Sequence, residues 1–305
     1  MTRLCVRAII QGMNISDLPP SVRREEGRGG LACYTVQNAL ASAQVYEHGA
    51  HVAAFQARNA EHPLLWLSEQ SLFEEDKAIR GGVPICFPWF GPRAEDSSAP
   101  MHGIARTGAW QLSQASEDDA GTRLVFVPST ELKDESLWPR GCRASLEVLV
   151  GEALQITFSA QAGAQSCDFE IALHTYLRVG DVRLVEISGL EGAPFWDKVA
   201  RTQQRGEAGS LSIAGETDRV YSSTSTCTVS DKSWRRKITI EKQNSGSTIV
   251  WNPGEAKARS MPDLGGDARS RMLCIETGNV GRHRVELGAG QTHQMTARIS
   301  AREGV

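Results

Sequence analysis

Alternation of apolar and polar residues with a period of two dominates this chain and predicts β-strands along most of its length. Ten segments show this alternation or a run of β-branched residues, bounded by Gly, Asn, Pro or Ser: LACYTVQN, ASAQVYEHGAHVAAFQA, TRLVFVPS, ASLEVLVGEALQITFSAQA, FEIALHTYLRV, RLVEISGL, KITIEKQN, STIVWNP, RMLCIETGNV and QTHQMTARISA. Residues 142–160 are typical of a hairpin, because two alternating strands flank the turn Gly151-Glu152-Ala153.

Helical periodicity is nearly absent. Residues 62–78 and 253–265 each predict one short helical turn. Many short strands joined by turns favour an all-β sandwich or barrel. No internal repeat and no linker rich in Pro or Ser divides the chain, so the sequence predicts one large domain over residues 31–300. Residues 1–30 are predicted to form a mobile or surface lead-in segment, with the charges of residues 18–30 in solvent.

Composition narrows the partners and the compartment. The 305 residues are 40% hydrophobic and 23% charged, as in globular proteins with a large core. A formal net charge of −3 gives no basic field for nucleic acid or an anionic membrane. The N-terminal MTRLCVRAIIQGMN has no signal-peptide pattern, and the seven scattered cysteines lack a CxxC pair. We therefore expect a cytoplasmic protein with reduced thiols, monomeric by default, without nucleic-acid or membrane partners.

Common motifs of nucleotide, serine-hydrolase and zinc chemistry do not occur in the sequence. It contains no GxxxxGK[ST], GxGxxG, GxSxG or HExxH motif and no paired CxxC. A site of these kinds would have to be assembled by the fold from separate segments.

Several polar side chains stand where the strand pattern expects apolar ones, or beside glycine-rich turns. They are Arg80 in IRGGVPICFPWFG, His102 and Arg106 in PMHGIARTGAW, His174 in FEIALHTYLRV, Asp218 in GETDRVY and Glu276 in RMLCIETGNV. Each has an ordinary structural explanation when taken alone: a hydrogen-bonded core histidine, an outward-facing carboxylate, an arginine that binds loop carbonyls, or a turn residue.

The same segments, taken together and in order, resemble a known family. IRGGVPICFPWFG, HGIAR, ALHTYLRVGD, GETDRVY, IVWNP and CIETGNV look like the motifs of the aldose 1-epimerase superfamily. Within it they are most similar to the glucose-6-phosphate 1-epimerases, also called hexose-6-phosphate mutarotases. The resemblance runs from Leu31 to Arg298, and IRGG-P-x-x-F-P-x-F-G with HG-x-x-R is its most specific part. The chain departs from the pattern after WNP, where a second aromatic residue often follows.

This resemblance implies a galactose mutarotase-like β-supersandwich of large antiparallel sheets, in agreement with the strand pattern. It also implies the following roles: His174 and Glu276 as the catalytic residues, Arg80, His102 and Arg106 as contacts to phosphate and sugar, and Asp218 as a ligand of a sugar hydroxyl. The implied substrate is a small molecule, a hexose 6-phosphate, with glucose 6-phosphate expected first.

The implied chemistry is the interconversion of α and β anomers by opening and closing of the sugar ring. Glu276 would take the proton of the C1 hydroxyl and His174 would protonate the ring oxygen. We expect the carboxylate to raise the pKa of the imidazole. Arg80 and Arg106 would hold the phosphate through forked hydrogen bonds. No organic cofactor and no metal is required.

Three other functions stay open on the sequence. A sugar-phosphate sensor could use the same cleft without turnover, although it would not need an acid/base pair. A mutarotase of free galactose or glucose would share the histidine and the glutamate but not need two arginines. A glycoside hydrolase or lyase would need two catalytic carboxylates, for which Glu276 and Asp218 are the candidates.

Overall fold

The computed structural model describes residues 17–129, 135–206, 208–266 and 268–304. Its strands, in chain order, are β1 (Val22–Glu26), β2 (Ala32–Gln37), β3 (Ala41–Tyr46), β4 (His51–Ala57), β5 (Ile85–Cys86), β6 (Trp110–Asp118), β7 (Gly121–Pro128), β8 (Arg143–Val150), β9 (Leu154–Gln161), β10 (Cys167–Phe169), β11 (Ile171–Leu173), β12 (Tyr176–Arg178), β13 (Val185–Ser188), β14 (Pro194–Asp197), β15 (Thr202–Arg205), β16 (Thr217–Ser222), β17 (Cys227–Asp231), β18 (Arg236–Gln243), β19 (Ser247–Asn252), β20 (Met272–Asn279), β21 (Val285–Leu287) and β22 (Thr292–Glu303). The α-helices are α1 (Gly254–Ser260) and α2 (Ala268–Arg271).

These strands form two large sheets and two smaller ones. One large sheet has the order β13-β17-β18-β22-β9-β8-β7-β6, and the other has the order β15-β14-β16-β19-β20-β11-β5 with β12 also on β20. Strands β1 to β4 form a four-stranded sheet, and β10 pairs with β21. Neighbouring strands run antiparallel throughout these ladders. The predicted all-β fold with large antiparallel sheets is confirmed.

The predicted hairpin is present as β8 and β9. Its strands bury every second residue, because successive side chains of a strand point to opposite faces. The buried face, with Leu146, Val148, Ile156 and Phe158 almost inaccessible to solvent, packs into the largest apolar cluster of the described residues. Burial of this face fixes the register, since a shift by one residue would expose it.

The N-terminal prediction needs a correction. Residues 1–16 lie outside the described part of the chain, but Val22–Glu26 forms strand β1 instead of a loose lead-in segment. Val22 is buried opposite Val36 of β2, and this contact packs β1 against β2. The other four side chains of β1 are exposed, as the predicted surface position requires.

One helical prediction is confirmed and the other is wrong. Helix α1 lies within residues 253–265, whereas residues 62–78 contain no helix. The apolar residues there are buried by strand-like contacts, since Leu65 bridges to Leu177 and the Trp66 N–H donates to the Tyr176 carbonyl oxygen at 2.9 Å. No helix of the described residues is long and apolar enough to cross a bilayer.

The segment FEIALHTYLRV forms two strands where the sequence predicts one. Strands β11 and β12 both pair with β20, and His174 and Thr175 interrupt the ladder between them. The Thr175 N–H donates to the Leu173 carbonyl oxygen two residues back, at 2.8 Å, and the His174 N–H donates to the Pro84 carbonyl oxygen at 3.0 Å. These bonds replace the regular ladder at the histidine.

Candidate active site

His174 and Glu276 face each other across two neighbouring strands. Leu173 pairs with Thr277, and Tyr176 pairs with Cys274. In this register His174 lies opposite Glu276. Directly opposed residues project from the same face of a sheet. Nε2 of His174 lies 3.4 Å from Oε1 of Glu276, and the two residues are 7% and 1% exposed. The register of the sheet therefore creates this pair.

Aromatic rings hold the imidazole of His174 from two sides. The ring of Tyr176 stacks on it, with centroids 4.7 Å apart and an interplanar angle of 11°. The indole of Trp251 meets it edge-on, with centroids 5.9 Å apart. Packing of this kind restricts the imidazole to one orientation.

Arg80 extends from the glycine-rich loop toward the same aromatic group. Its Nε and Nη2 contact Oδ2 of Asp263 at 3.0 and 2.9 Å, and its Nη1 donates to the Tyr176 hydroxyl at 3.2 Å. Its backbone N–H donates to Oγ of Ser71 at 2.7 Å. The guanidinium is thus fixed in place and is connected through Tyr176 to the ring that stacks on His174.

His102 and Arg106 come from the HGIAR segment. The Gly91 N–H donates to Nδ1 of His102 at 3.2 Å, and the His102 ring lies 5.7 Å from that of His174 between centroids. Nη2 of Arg106 donates to the Met101 carbonyl oxygen at 2.6 Å, while its Nε is buried without a hydrogen-bond partner.

A cavity of about 430 Å³ brings these groups together. Its lining includes all six residues singled out in the sequence: Arg80, His102, Arg106, His174, Asp218 and Glu276. It also includes several residues that the sequence did not single out as site residues, among them Phe90, Tyr176, Lys198, Lys257 and Met261. A volume of this order suits a small polar ligand.

The cations of the cavity wall differ in how they are neutralised. Arg80 pairs with Asp263, as described above, and Nζ of Lys198 lies 3.6 Å from Oδ1 of Asp218. Nζ of Lys257 lies 3.1 Å from Oε1 of Glu216. Arg106 is half-buried and has no ion pair with the described residues, so its charge is not neutralised by a carboxylate there.

Burial controls the protonation of the His174–Glu276 pair. Desolvation lowers the pKa of His174 well below its ordinary value, and the positive charges of the nearby arginines act in the same direction. Desolvation raises the pKa of Glu276 well above its ordinary value, although Lys198 opposes this effect. This differs from the expectation that the carboxylate would raise the pKa of the imidazole, because loss of solvent outweighs the ion pair. Both shifts favour a neutral imidazole and a protonated carboxyl group in the unliganded site.

Comparison with known proteins identifies the family. Residues 32–300 match the family model described as aldose 1-epimerase. The chain belongs to the aldose 1-epimerase family. An Escherichia coli K12 protein provisionally named glucose-6-phosphate 1-epimerase is 35% identical over 231 residues, which cover 75% of this chain and 76% of that protein.

Solved structures of other proteins share the fold. A provisionally assigned mutarotase from Salmonella typhimurium superposes with a TM-score of 0.86 at 30% identity, covering 94% of this chain and 96% of that one. A galactose mutarotase-like protein from Clostridium acetobutylicum superposes with a TM-score of 0.71 at 12% identity, covering 93% and 98% of the two chains. The galactose mutarotase-like fold expected from the resemblance is confirmed.

Sequence reasoning missed several residues of the cavity for different reasons. Tyr176 could have been found, because it lies two positions after His174 and so shares its face of the strand. Lys198 and Lys257 follow no pattern in the sequence, since each is an ordinary charged residue near the end of an element or on a short helix. Asp263 is recognised only through its contact with Arg80, 183 positions away in the chain.

Proposed function

We propose that this chain interconverts the α and β anomers of hexose 6-phosphates, with glucose 6-phosphate the preferred substrate. The observation that supports this most strongly is the facing His174–Glu276 pair, 3.4 Å apart at a cavity of sugar-phosphate size. Relatives named for glucose 6-phosphate and the membership in an aldose 1-epimerase family support the same reaction.

Ring opening needs two proton transfers, and the pair supplies both. In the tautomer of the pair that carries the proton on His174, Glu276 accepts the proton of the C1 hydroxyl, while His174 delivers a proton to the ring oxygen as its bond to C1 breaks. The products are an open-chain aldehyde, a protonated Glu276 and a neutral His174. Rotation of the aldehyde followed by the reverse transfers closes the other anomer and restores the pair.

The phosphate supplies binding energy far from the reacting carbon. Arg106, half-buried and without a carboxylate partner among the described residues, can donate charge-assisted hydrogen bonds to phosphate oxygens. Arg80, held by Asp263, can contribute its remaining donors, and Lys198 and Lys257 add positive charge along the wall. Such binding orients C1 and the ring oxygen over the pair.

His102 and Asp218 remain candidates for contacts with sugar hydroxyls.

A substrate series tests the proposal. The rate of anomer exchange is measured by NMR for glucose 6-phosphate, free glucose and free galactose at equal concentrations. We expect exchange of glucose 6-phosphate to be accelerated most, because only it engages Arg106. Preferential acceleration of free galactose would favour a mutarotase of free sugars. Binding of glucose 6-phosphate without acceleration would favour a sensor. The expected cytoplasmic, monomeric state stays a prediction.

A further inference from the structure

A thiol lies beside the His174–Glu276 pair and takes no part in the proposed reaction. Cys274 precedes Glu276 by two residues in β20, so both side chains project from the same face. One ring nitrogen of His174, Sγ of Cys274 and one carboxylate oxygen of Glu276 all lie within 4.8 Å of one another. His174 lies between β11 and β12, which both pair with β20, and Cys274 is completely buried.

These three atoms form a donor set that suits a soft divalent metal ion. Imidazole nitrogen, thiolate sulfur and carboxylate oxygen are the usual protein ligands of Zn²⁺, and three of them with one open position form a common arrangement. Ligand atoms around tetrahedral zinc lie about 3.3–3.7 Å apart, given its usual bond lengths. Nε2 of His174 and Oε1 of Glu276 already have such a separation, at 3.4 Å.

Two unsatisfied atoms at the same place point independently to a ligand. Nδ1 of His174 and Oε2 of Glu276 are buried and have no hydrogen-bond partner. Buried polar atoms in folded proteins are normally paired. Both atoms belong to side chains of the donor set, and these two side chains also line the cavity.

We propose that His174, Cys274 and Glu276 form a zinc site whose occupation stops the reaction. A bound ion takes a ring nitrogen of His174 and a carboxylate oxygen of Glu276, and the sugar needs the same two side chains for proton transfer. The ion is therefore an inhibitor that competes with the sugar, and the proposed reaction itself proceeds without it. The sequence search for zinc motifs fails here because His174 lies about a hundred positions before Cys274, and only strand pairing brings it beside Cys274 and Glu276.

Calorimetric titration of the full-length protein with Zn²⁺ tests the site without relying on activity. We expect one ion per chain to bind, the affinity to fall at least about tenfold in Cys274→Ser, since a hydroxyl is a poor zinc ligand, and the wild-type affinity to persist in Cys33→Ser. Cys33 is a matched control because it is equally buried but lies in the four-stranded sheet. Glucose 6-phosphate should weaken zinc binding to the wild-type protein.

Substitution with Co²⁺ gives a second measurement that needs no variant. A cobalt–thiolate charge-transfer band should appear in the wild-type protein, disappear in Cys274→Ser and remain in Cys33→Ser. Equal zinc affinity in wild type and Cys274→Ser, or absence of the cobalt–thiolate band from the wild-type protein, would overturn the proposal. Because these measurements record binding alone, they distinguish failure of the zinc site from failure of the proposed epimerase reaction.

Discussion

Arg106 and Arg80 line the same cavity but differ in the residues that neutralise their charges. The guanidinium of Arg80 is already neutralised by Asp263, whereas Arg106 has only the Met101 carbonyl oxygen and an unpaired Nε. Desolvation lowers the pKa of Arg106, since loss of solvent disfavours the charged form. In the proposed reaction a phosphate dianion would neutralise this charge, so we expect Arg106 to contribute more to phosphate binding than Arg80.

Replacing Arg106 by Met should separate phosphate binding from the chemistry. We expect KM for glucose 6-phosphate to rise about 10- to 100-fold, because a charge-assisted contact contributes about 1.5–3 kcal/mol. KM for free glucose should be almost unchanged. Exchange rates measured over a range of substrate concentrations give both values, and Arg298→Met, which alters an exposed ion pair with Glu241, is the control. An equal rise for both sugars would show that Arg106 does not recognise the phosphate.

Individual residues of the site were predictable only where a motif contained them. Arg80 and Glu276 were found because family-like motifs surround them, and all six predicted residues line one cavity. Their roles stay predictions. Lys198 and Asp263 could not be found, because their importance depends on contacts between segments that are distant in the chain. The predicted rise in the pKa of His174 was wrong, because strand alternation does not reveal how completely a residue is buried.

The glycine-rich loop before β5 places Arg80 through close backbone packing. Gly82 has a positive φ of 60°, and a Cβ atom there would lie 2.2 Å from the carbonyl oxygen of Val52 and 2.6 Å from Nε2 of His51. Only glycine fits both the conformation and the space. The loop can therefore hold a guanidinium at the cavity more firmly than an exposed loop would.

Gly82→Ala should destabilise the protein by more than the conformational cost alone, which is about 1–3 kcal/mol for a non-glycine residue in this region. The clash with backbone atoms adds to this cost and should shift Arg80. Urea unfolding measures the loss, and Gly192→Ala is the matched control, since Gly192 has a φ of 67° and open space around it. Equal losses of unfolding free energy in both variants would show that close packing at Gly82 is unimportant.

Most strands were predictable because alternation with a period of two is a local signal. The β8–β9 hairpin has the predicted turn and buried face. The helical prediction for residues 62–78 failed because an apolar cluster can be buried equally well by bridges to distant segments, as Leu65 is by Leu177. The interruption at His174 was also invisible, since its hydrogen bond to Pro84 depends on tertiary structure.

At the scale of the whole molecule, antiparallel register assembles the site from separated segments. The pairing of β11 with β20 brings together residues about a hundred positions apart, and the pairing of β16 with β19 adds Asp218 next to Trp251. The class of fold followed from the number of short strands, but the order of strands within each sheet did not. That order depends on long-range pairing, which leaves no periodic signal in the sequence.

Buried histidines should make the stability of the whole molecule depend on pH. Burial, His48 and Arg106 lower the pKa of His51 from 6.5 to about 3. The unfolded chain therefore binds this proton at a higher pH than the folded chain does. The contribution of His51 to stability is complete above about pH 6.5 and is lost as pH falls toward 3, by up to about 1.4 kcal/mol per pH unit.

His51→Gln should reduce this dependence, because glutamine does not titrate in that range. Free energies of unfolding in urea at about pH 7, 6 and 5 measure the slope for the wild-type protein and the variant. His62→Gln is the control, since His62 stacks on Trp234 away from the cavity. Identical slopes in the wild type and His51→Gln would contradict the prediction.

In the proposed reaction His174 and Glu276 together transfer the protons that open and close the sugar ring. Two-dimensional NMR exchange spectroscopy of α- and β-glucose 6-phosphate measures this reaction directly, with circular dichroism to check that each variant is folded. We expect the wild-type protein to accelerate exchange, and the exchange rate to fall at least about 100-fold in His174→Ala and in Glu276→Gln. The rate should not fall in Glu241→Gln, an exposed control on β18. Wild-type exchange rates in a folded Glu276→Gln variant would contradict the proposed reaction.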